Sequence, residues 1–194
     1  MICIAIGIYF FTIHGWPILL LGLLGLLVIV TYTPWLNKIP ALCLLAPGVG
    51  FGTLMVNATY FALTGHFSWT AFLASFVPLF LVSNLLLLNQ FPDADVDKNF
   101  GRKHYPILIG RKASAVIFTL FLAGAYIALV AGVLLKLMPA WTLIGLATLI
   151  FAIPTARGAL KNADDLPKLM PSLGQNVLIN LITPLLIGIG FLIG

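Results

Sequence analysis

The chain has 194 residues, of which 61% are hydrophobic and 8% are charged, and its mean hydropathy is +1.14. Soluble domains are roughly half apolar, so this composition excludes an ordinary soluble domain and predicts an integral membrane protein in a lipid bilayer. The formal net charge of +5 is carried by a few loops, which indicates membrane orientation and argues against a nucleic-acid partner.

Seven apolar runs follow one another along the chain, separated by proline, glycine and charged residues. They are apolar on all sides, and lipid offers no partner for free backbone groups, so each run predicts a helix. The predicted fold class is therefore all-α, a polytopic transmembrane helical bundle, and residues 1–194 are expected to form a single transmembrane domain. The approximate runs are Met1–Ile13, Pro17–Tyr32, Ala41–Leu63, Trp69–Leu88, Ala113–Leu135, Pro139–Thr155 and Asn176–Gly194.

Lysine and arginine residues are concentrated in alternate loops between these runs. All ten lie in the segments 33–40, 89–112 and 155–175 except Lys136. By the positive-inside rule, these three segments are predicted to face the cytoplasm. The first run then starts on the cytoplasmic side with only about a dozen apolar residues, fewer than the roughly 17–25 of a spanning helix, so further chain is expected before it.

The segment "NQFPDADVDKNFGRK", residues 89–103, holds much of the charge. Asp93 and Asp97 are spaced i, i+4, so they share one face of any helix that continues past Pro92. Two like charges on one face require a bound cation or basic neighbours. The basic residues that follow are Lys98, Arg102 and Lys103.

Three interpretations of this segment compete. It could be a solvated loop that serves solubility and topology. Asp93, Asp95 and Asp97 also match the opening of a calcium-binding EF-hand, but Lys98 replaces its glycine and His104 replaces its bidentate glutamate. The third interpretation is a magnesium–diphosphate site, in which paired carboxylates hold Mg²⁺ and basic side chains neutralise phosphate. The mixture of aspartates and cations favours this third interpretation.

The longer stretch "NQFPDADVDKNFGRKHYPILIGRKAS", residues 89–114, resembles the second aspartate-rich segment of the UbiA superfamily of intramembrane prenyltransferases. The matching residues are Asn89, Asp93, Asp97, Gly101, Arg102, Lys103 and Gly110. "YTPWLNK" at 32–38 is similar to the family's Tyr-to-Lys element, although Lys38 lies further from Tyr32 than the Y-x-x-x-K form has it. "GFGTLMVNATYFALTG" at 50–65 resembles the corresponding helix in the branch of the family that prenylates 1,4-dihydroxy-2-naphthoate in menaquinone synthesis.

The resemblance implies a helical bundle, of nine helices in full-length members, around a cavity that binds an isoprenyl diphosphate and an aromatic acceptor. It implies that Asp93 and Asp97 are catalytic and hold Mg²⁺, with Asn89 supporting the metal site. It also implies a bacterial inner (cytoplasmic) membrane with the Asp-rich loop on the cytoplasmic side. The residues implied for binding diphosphate are Tyr32, Lys38, Lys98, Arg102 and Lys103.

One departure from the family concerns its first motif, N-x-x-x-D-x-x-x-D, because residues 1–88 contain no aspartate. Aligning the Asp-rich loops makes the first run here equivalent to the family's third helix, so an N-terminally truncated member is expected. The alternative is a non-catalytic or degenerate membrane subunit of the same fold. A small secondary transporter is disfavoured, because the runs carry almost no ionisable residues at mid-membrane depth.

Four further polar residues carry expectations of their own. His104 is expected to be solvated, as a loop histidine near a membrane surface. Asn57 and Asn180 lie within apolar runs and are expected to form interhelical hydrogen bonds. Asp164 belongs to a loop that is expected to be solvated and that could cover the mouth of the cavity.

Overall fold

The structure, a computed structural model, describes residues 2–194, with side chains from residue 4 onward. It is built from helices, and the described residues contain no strand, which confirms the predicted all-α class. The long helices are α1 (Ile2–His14), α2 (Trp16–Tyr32), α3 (Pro40–Thr64), α4 (Trp69–Asn99), α5 (Gly110–Leu134), α6 (Ala140–Asn162) and α7 (Leu166–Ile193). Two short elements connect them, a 3-10 turn at Leu36–Lys38 and a helical turn at Tyr105–Leu108.

Five of these helices, α3 to α7, are long and apolar enough to cross a membrane. Even the shortest, α6, has 23 residues, of which Ala140–Thr148 form a 3-10 helix. At a rise of 1.5 Å or more per residue it is at least about 35 Å long, against a hydrocarbon core of about 30 Å. Helices α1 and α2 are also apolar but shorter, with 13 and 17 residues. The chain is therefore a polytopic integral membrane protein, as its composition predicts.

Three helices extend further into the charged segments than the apolar runs indicate. Helix α4 continues past Leu88 to Asn99, α6 ends at Asn162, and α7 begins at Leu166. Hydrophobicity marks only the part of a helix that lies in lipid, whereas backbone hydrogen bonding continues equally well in water. The segment expected to be a loop at 89–112 is consequently helical over most of its length.

Helix α4 lies at the centre of the bundle and packs against α3, α5 and α7. Its large side chains Leu81, Leu87, Leu88 and Phe91 are at most 1% exposed. Helix α2, by contrast, buries no residue fully. The rotation of α4 about its own axis is therefore fixed by packing on several sides.

Helix α3 approaches the backbone of α4 closely through two glycines. A Cβ added at Gly48 would collide with the carbonyl oxygen of Leu79, and one added at Gly52 would lie 2.6 Å from the Leu79 Cα. Glycines four residues apart let two membrane helices approach closely and gain van der Waals contact. The α3–α4 contact thus depends on the absence of these two side chains.

Buried asparagines join α4 to α5 and α7. The Asn84 amide nitrogen donates to the Phe118 carbonyl oxygen at 2.8 Å, and that of Asn176 donates to the Asn84 carbonyl oxygen at 3.3 Å. The expectation that Asn57 and Asn180 link helices is wrong, because each donates to a carbonyl one turn earlier in its own helix. A uniformly apolar run does not reveal which of its faces points inward.

Substitution of Gly52 by alanine should destabilise the bundle. The added methyl group meets main-chain atoms of Leu79, which cannot rotate away. We therefore expect the free energy of unfolding to fall by about 1–3 kcal/mol, a range typical of overpacking. The midpoint of thermal unfolding in detergent measures it. Gly25→Ala in α2 is the matched control, because nothing lies within 4 Å of its added Cβ; equal shifts for both variants would contradict the close α3–α4 contact.

Candidate functional site

The charged residues are gathered at one end of the bundle, here called the charged end. It is formed by the last turns of α2, α4 and α6 and the first turns of α3, α5 and α7. Every Lys, Arg and Asp of the chain except Lys136 belongs to segments at this end. An ion pair of 3.3 Å between Lys112 and Asp164 connects the start of α5 with the α6–α7 turn.

A cavity of about 190 Å³ opens at the charged end. It lies between the end of α2, the following 3-10 turn, the start of α3, the last turns of α4 and the segment after α4. None of its lining residues comes from 155–175, so the α6–α7 loop does not cover it. The lining residues are Tyr32, Thr33, Asn37, Cys43, Leu86, Asn89, Gln90, Asp93, Asp97, Arg102 and His104.

Three residues predicted for the metal site share one face of α4. Asn89, Asp93 and Asp97 follow one another at intervals of four residues within the helix, and all three line the cavity. The helix therefore continues past Pro92, as the shared face of Asp93 and Asp97 requires. Tyr32 and Arg102 line the same cavity, whereas Lys38, Lys98 and Lys103 are exposed and do not line it.

Asp97 is tied to the segment that follows α4. One of its carboxylate oxygens, Oδ2, accepts hydrogen bonds from Arg102 Nη1 at 3.3 Å and from His104 Nε2 at 3.0 Å. Its backbone carbonyl also accepts from the Arg102 amide at 3.2 Å. Gly101 adopts a φ of +73° at this turn, a left-handed conformation that glycine adopts without steric cost.

His104 is buried, with 2% of its surface exposed, so the expectation that it is solvated is wrong. The chain folds back after Gly101, and the short helix Tyr105–Leu108, with its buried Pro106, follows directly. Burial lowers the pKa of His104 below its ordinary value, although the hydrogen bond to Asp97 acts in the opposite direction. Because a carboxylate oxygen accepts hydrogen bonds, Nε2–H of His104 is the donor in its contact with Asp97.

Asp95 points away from the cavity, as its place between the other two aspartates predicts. It is 82% exposed and accepts a hydrogen bond of 2.7 Å from Arg111 Nη2. Arg111 also donates through Nε to the carbonyl oxygen of Phe91 at 2.8 Å. Arg111 thereby fastens the first turn of α5 to the projecting end of α4.

The carboxylates that face the cavity fit a magnesium site in which the protein supplies only some of the ligands. Among the described residues, Asp93 forms no ion pair and no side-chain hydrogen bond, and no group of three or more acidic, histidine or cysteine side chains could hold a metal alone. Mg²⁺ is commonly bound by one or two carboxylates while water and substrate phosphates supply its other ligands. Asp93 and Asp97, with the Asn89 amide beside them, fit that arrangement.

Several cavity residues had no signal in the sequence. Gln90 donates to Cys43 Sγ at 3.4 Å, and the Tyr32 hydroxyl lies 3.8 Å from the same sulfur. These three side chains line the cavity and join α2, α3 and α4. Asn37 and His104 come from connecting segments, which hydrophobic periodicity does not place.

Comparison with known proteins supplies a family and two relatives. The UbiA prenyltransferase family model matches residues 1–170. A 1,4-dihydroxy-2-naphthoate octaprenyltransferase of Bacillus subtilis (strain 168) is 26% identical over an alignment of 170 residues that covers 83% of this chain and 52% of that protein. A UbiA prenyltransferase domain-containing protein 1 homolog of Drosophila melanogaster is 36% identical over 77 residues, 39% of this chain and 21% of the fly protein.

The chain thus covers about half the length of the first relative and about a fifth of the second. No solved structure matches it.

Removal of Arg111 should weaken the charged end more than removal of its neighbour Lys112. Arg111→Ala loses the hydrogen bonds to the Phe91 carbonyl and to the Asp95 carboxylate. We expect the free energy of unfolding to fall by about 1.5–3 kcal/mol, the range for hydrogen bonds to charged groups. Lys112→Ala breaks an ion pair whose partners are 81% and 57% exposed, which is worth less than about 1 kcal/mol. Thermal unfolding of both variants in one detergent tests this, and equal shifts would contradict it.

Proposed function

The chain belongs to the UbiA prenyltransferase family, and from that premise we propose that it takes part in Mg²⁺-dependent transfer of an isoprenyl group from a polyprenyl diphosphate to an aromatic acceptor. The observation that carries the proposal is the arrangement of Asn89, Asp93 and Asp97 on one face of α4. The name of the Bacillus relative suggests 1,4-dihydroxy-2-naphthoate as the acceptor, and hence a step of menaquinone biosynthesis.

In this proposal Asp93 and Asp97 would hold Mg²⁺, with Asn89 beside them, and the chemistry that the ion would supply is stabilisation of negative charge on the departing diphosphate. Arg102 lines the cavity and presents a planar guanidinium that suits phosphate oxygens. The Tyr32 hydroxyl binds the diphosphate from the α2 side. The exposed Lys38, Lys98 and Lys103 attract the anionic substrate to the mouth of the cavity.

The apolar bundle contributes to the same chemistry by excluding water. The prenyl tail is apolar and would lie along the helices, while the diphosphate stays at the charged end. When the carbon–oxygen bond to the diphosphate breaks, a water-poor site limits hydrolysis of the allylic group before the aromatic ring attacks it. Leu86, the one aliphatic side chain among the lining residues, adds apolar surface to the cavity that the carboxylates line.

A second candidate function is a non-catalytic or degenerate membrane subunit of the same fold. The specific observation in its favour is that residues 1–88 contain no aspartate, so the chain supplies one pair of carboxylates where the family has two. Such a subunit would bind prenyl diphosphate weakly or need a partner for transfer. Binding and transfer therefore have to be measured separately.

We also propose that the charged end faces the cytoplasm and that the membrane is the inner membrane of a bacterium. The distribution of Lys and Arg supports this orientation, because Lys136 is the single basic residue of the opposite end. Isoprenyl diphosphates carry several negative charges and do not cross membranes unaided. A cytoplasmic cavity would give them direct access.

The first test compares three aspartates of α4 by the same substitution. Asp93→Asn and Asp97→Asn should each lower prenyl transfer by about 10²-fold or more, because each removes an anionic ligand from a site that stabilises developing charge. Asp95→Asn is the matched control, since Asp95 is 82% exposed and pairs with Arg111 outside the cavity. The assay measures transfer from farnesyl diphosphate to 1,4-dihydroxy-2-naphthoate in membranes that contain the full chain.

Full activity of Asp93→Asn or Asp97→Asn, or an equal loss in Asp95→Asn, would refute the proposed site. If the unaltered chain binds farnesyl diphosphate in a Mg²⁺-dependent manner but transfers nothing, the second candidate function replaces the first.

The orientation can be tested by labelling single cysteines in intact cells and in inverted vesicles. In a Cys3→Ser background, in which Cys43 is buried, we introduce His66→Cys between α3 and α4 or Lys112→Cys at the charged end. A membrane-impermeant maleimide should label the His66 position in cells and the Lys112 position only in inverted vesicles. The reverse pattern would overturn the proposed orientation.

A further inference from the structure

His104 is buried at the charged end, with 2% of its surface exposed. Only 3% of its side chain is exposed, compared with 58% for Arg102, the other donor to Asp97. Its Nε2 lies 3.0 Å from Asp97 Oδ2, whereas the Arg102 contact is 3.3 Å long. A hydrogen bond shielded from water is less disturbed by competing solvent and salt than an exposed one.

The chain is folded locally so that this histidine reaches back to α4. The amides of Phe100 and Arg102 both donate to the Asp97 carbonyl, and Gly101 takes a left-handed conformation between them. This reversal returns the segment to the last turn of α4. His104 directly precedes the short helix Tyr105–Leu108, in which Pro106 is buried.

Both donors act on the same oxygen of Asp97. Among the described residues, no side chain donates to the other oxygen, Oδ1. One oxygen is thus fixed while the other remains open to a cation.

We propose that His104 is a positioning residue that holds the Asp97 carboxylate in the orientation in which it binds the divalent cation. The inference rests on the proposed function, because it takes Asp97 as a metal ligand. It adds a residue that the motif-based site did not include. Partners that orient a ligating group typically change metal affinity by about 10–100-fold when they are removed.

The environment of Asp93 supports this division of roles. Asp93 is exposed, and none of the side chains that the structure describes holds its carboxylate in place. Asp97 is 14% exposed on its side chain and has two donors. The proposed site therefore has one ordered carboxylate and one that can adjust to the substrate.

The test uses the purified full chain and measures how binding of tritiated farnesyl S-thiolodiphosphate depends on Mn²⁺ concentration. His104→Leu removes the donor and fills similar space, and we expect it to raise the half-saturating Mn²⁺ concentration by about 10–100-fold. His104→Gln places an amide N–H about as far along the side chain as Nε2, and it should restore the Mn²⁺ dependence to within about threefold of the original. In an Asp97→Asn background, His104→Leu should have no further effect.

Thermal unfolding without metal is measured in parallel. If the role of His104 were merely structural, its substitution would change stability and leave the Mn²⁺ dependence of ligand binding by the folded protein unaltered. Should His104→Leu fail to fold, His104→Asn replaces it, because its shorter amide does not reach Asp97. An unchanged Mn²⁺ dependence in the donor-lacking variant, or the absence of rescue by glutamine, would overturn the role of His104.

The outcomes separate this inference from the proposed function. If Asp93→Asn and Asp97→Asn weaken Mn²⁺-dependent binding while the His104 variants do not, the metal site stands and the positioning role fails. If the original chain shows no Mn²⁺-dependent binding, or if the two aspartate variants bind as it does, both proposals fail together.

Discussion

Charged groups cannot lie in lipid without partners, and the length of α4 satisfies this constraint. Its 31 residues form about 46 Å of helix, so the last turns project beyond a hydrocarbon core of about 30 Å. The projecting turns carry the three aspartates, while Leu87, Leu88 and Phe91, just before them, are fully buried. Because the helix does not break between these two parts, core packing sets the height and the rotation of the carboxylates.

The rotation of a single helix gives the three aspartates three different environments. Asp93 faces the cavity without a side-chain partner among the described residues, and Asp97 faces it with His104 and Arg102 as donors. Asp95 lies on the other side and pairs with Arg111. Residues two apart on a helix point in nearly opposite directions, whereas residues four apart share a face. Substitutions of the three aspartates can therefore be compared within one segment.

The sequence predicted those features that depend on local spacing, and it missed those that depend on tertiary contacts. The apolar runs indicated seven helices, and the i, i+4 spacing indicated that Asp93 and Asp97 share a face. The burial of His104 depends on a chain reversal at Gly101, which hydrophobicity does not report. Asn84 and Asn176 lie in runs that are apolar on every side, so no periodicity marked them as the inward residues that join helices.

The basic residues show why a charged segment is a poor guide to a binding site on its own. Of the five residues expected to bind diphosphate, Tyr32 and Arg102 line the cavity, whereas the three lysines are exposed and do not line it. A lysine is a flexible and strongly hydrated point charge, while arginine offers a planar fork that matches phosphate. In the proposed reaction the lysines would raise the local concentration of an anionic substrate, and Arg102 would fix its diphosphate beside Asp97. Capture and positioning would then be separate tasks, and the side chains that perform them differ in whether they line the cavity.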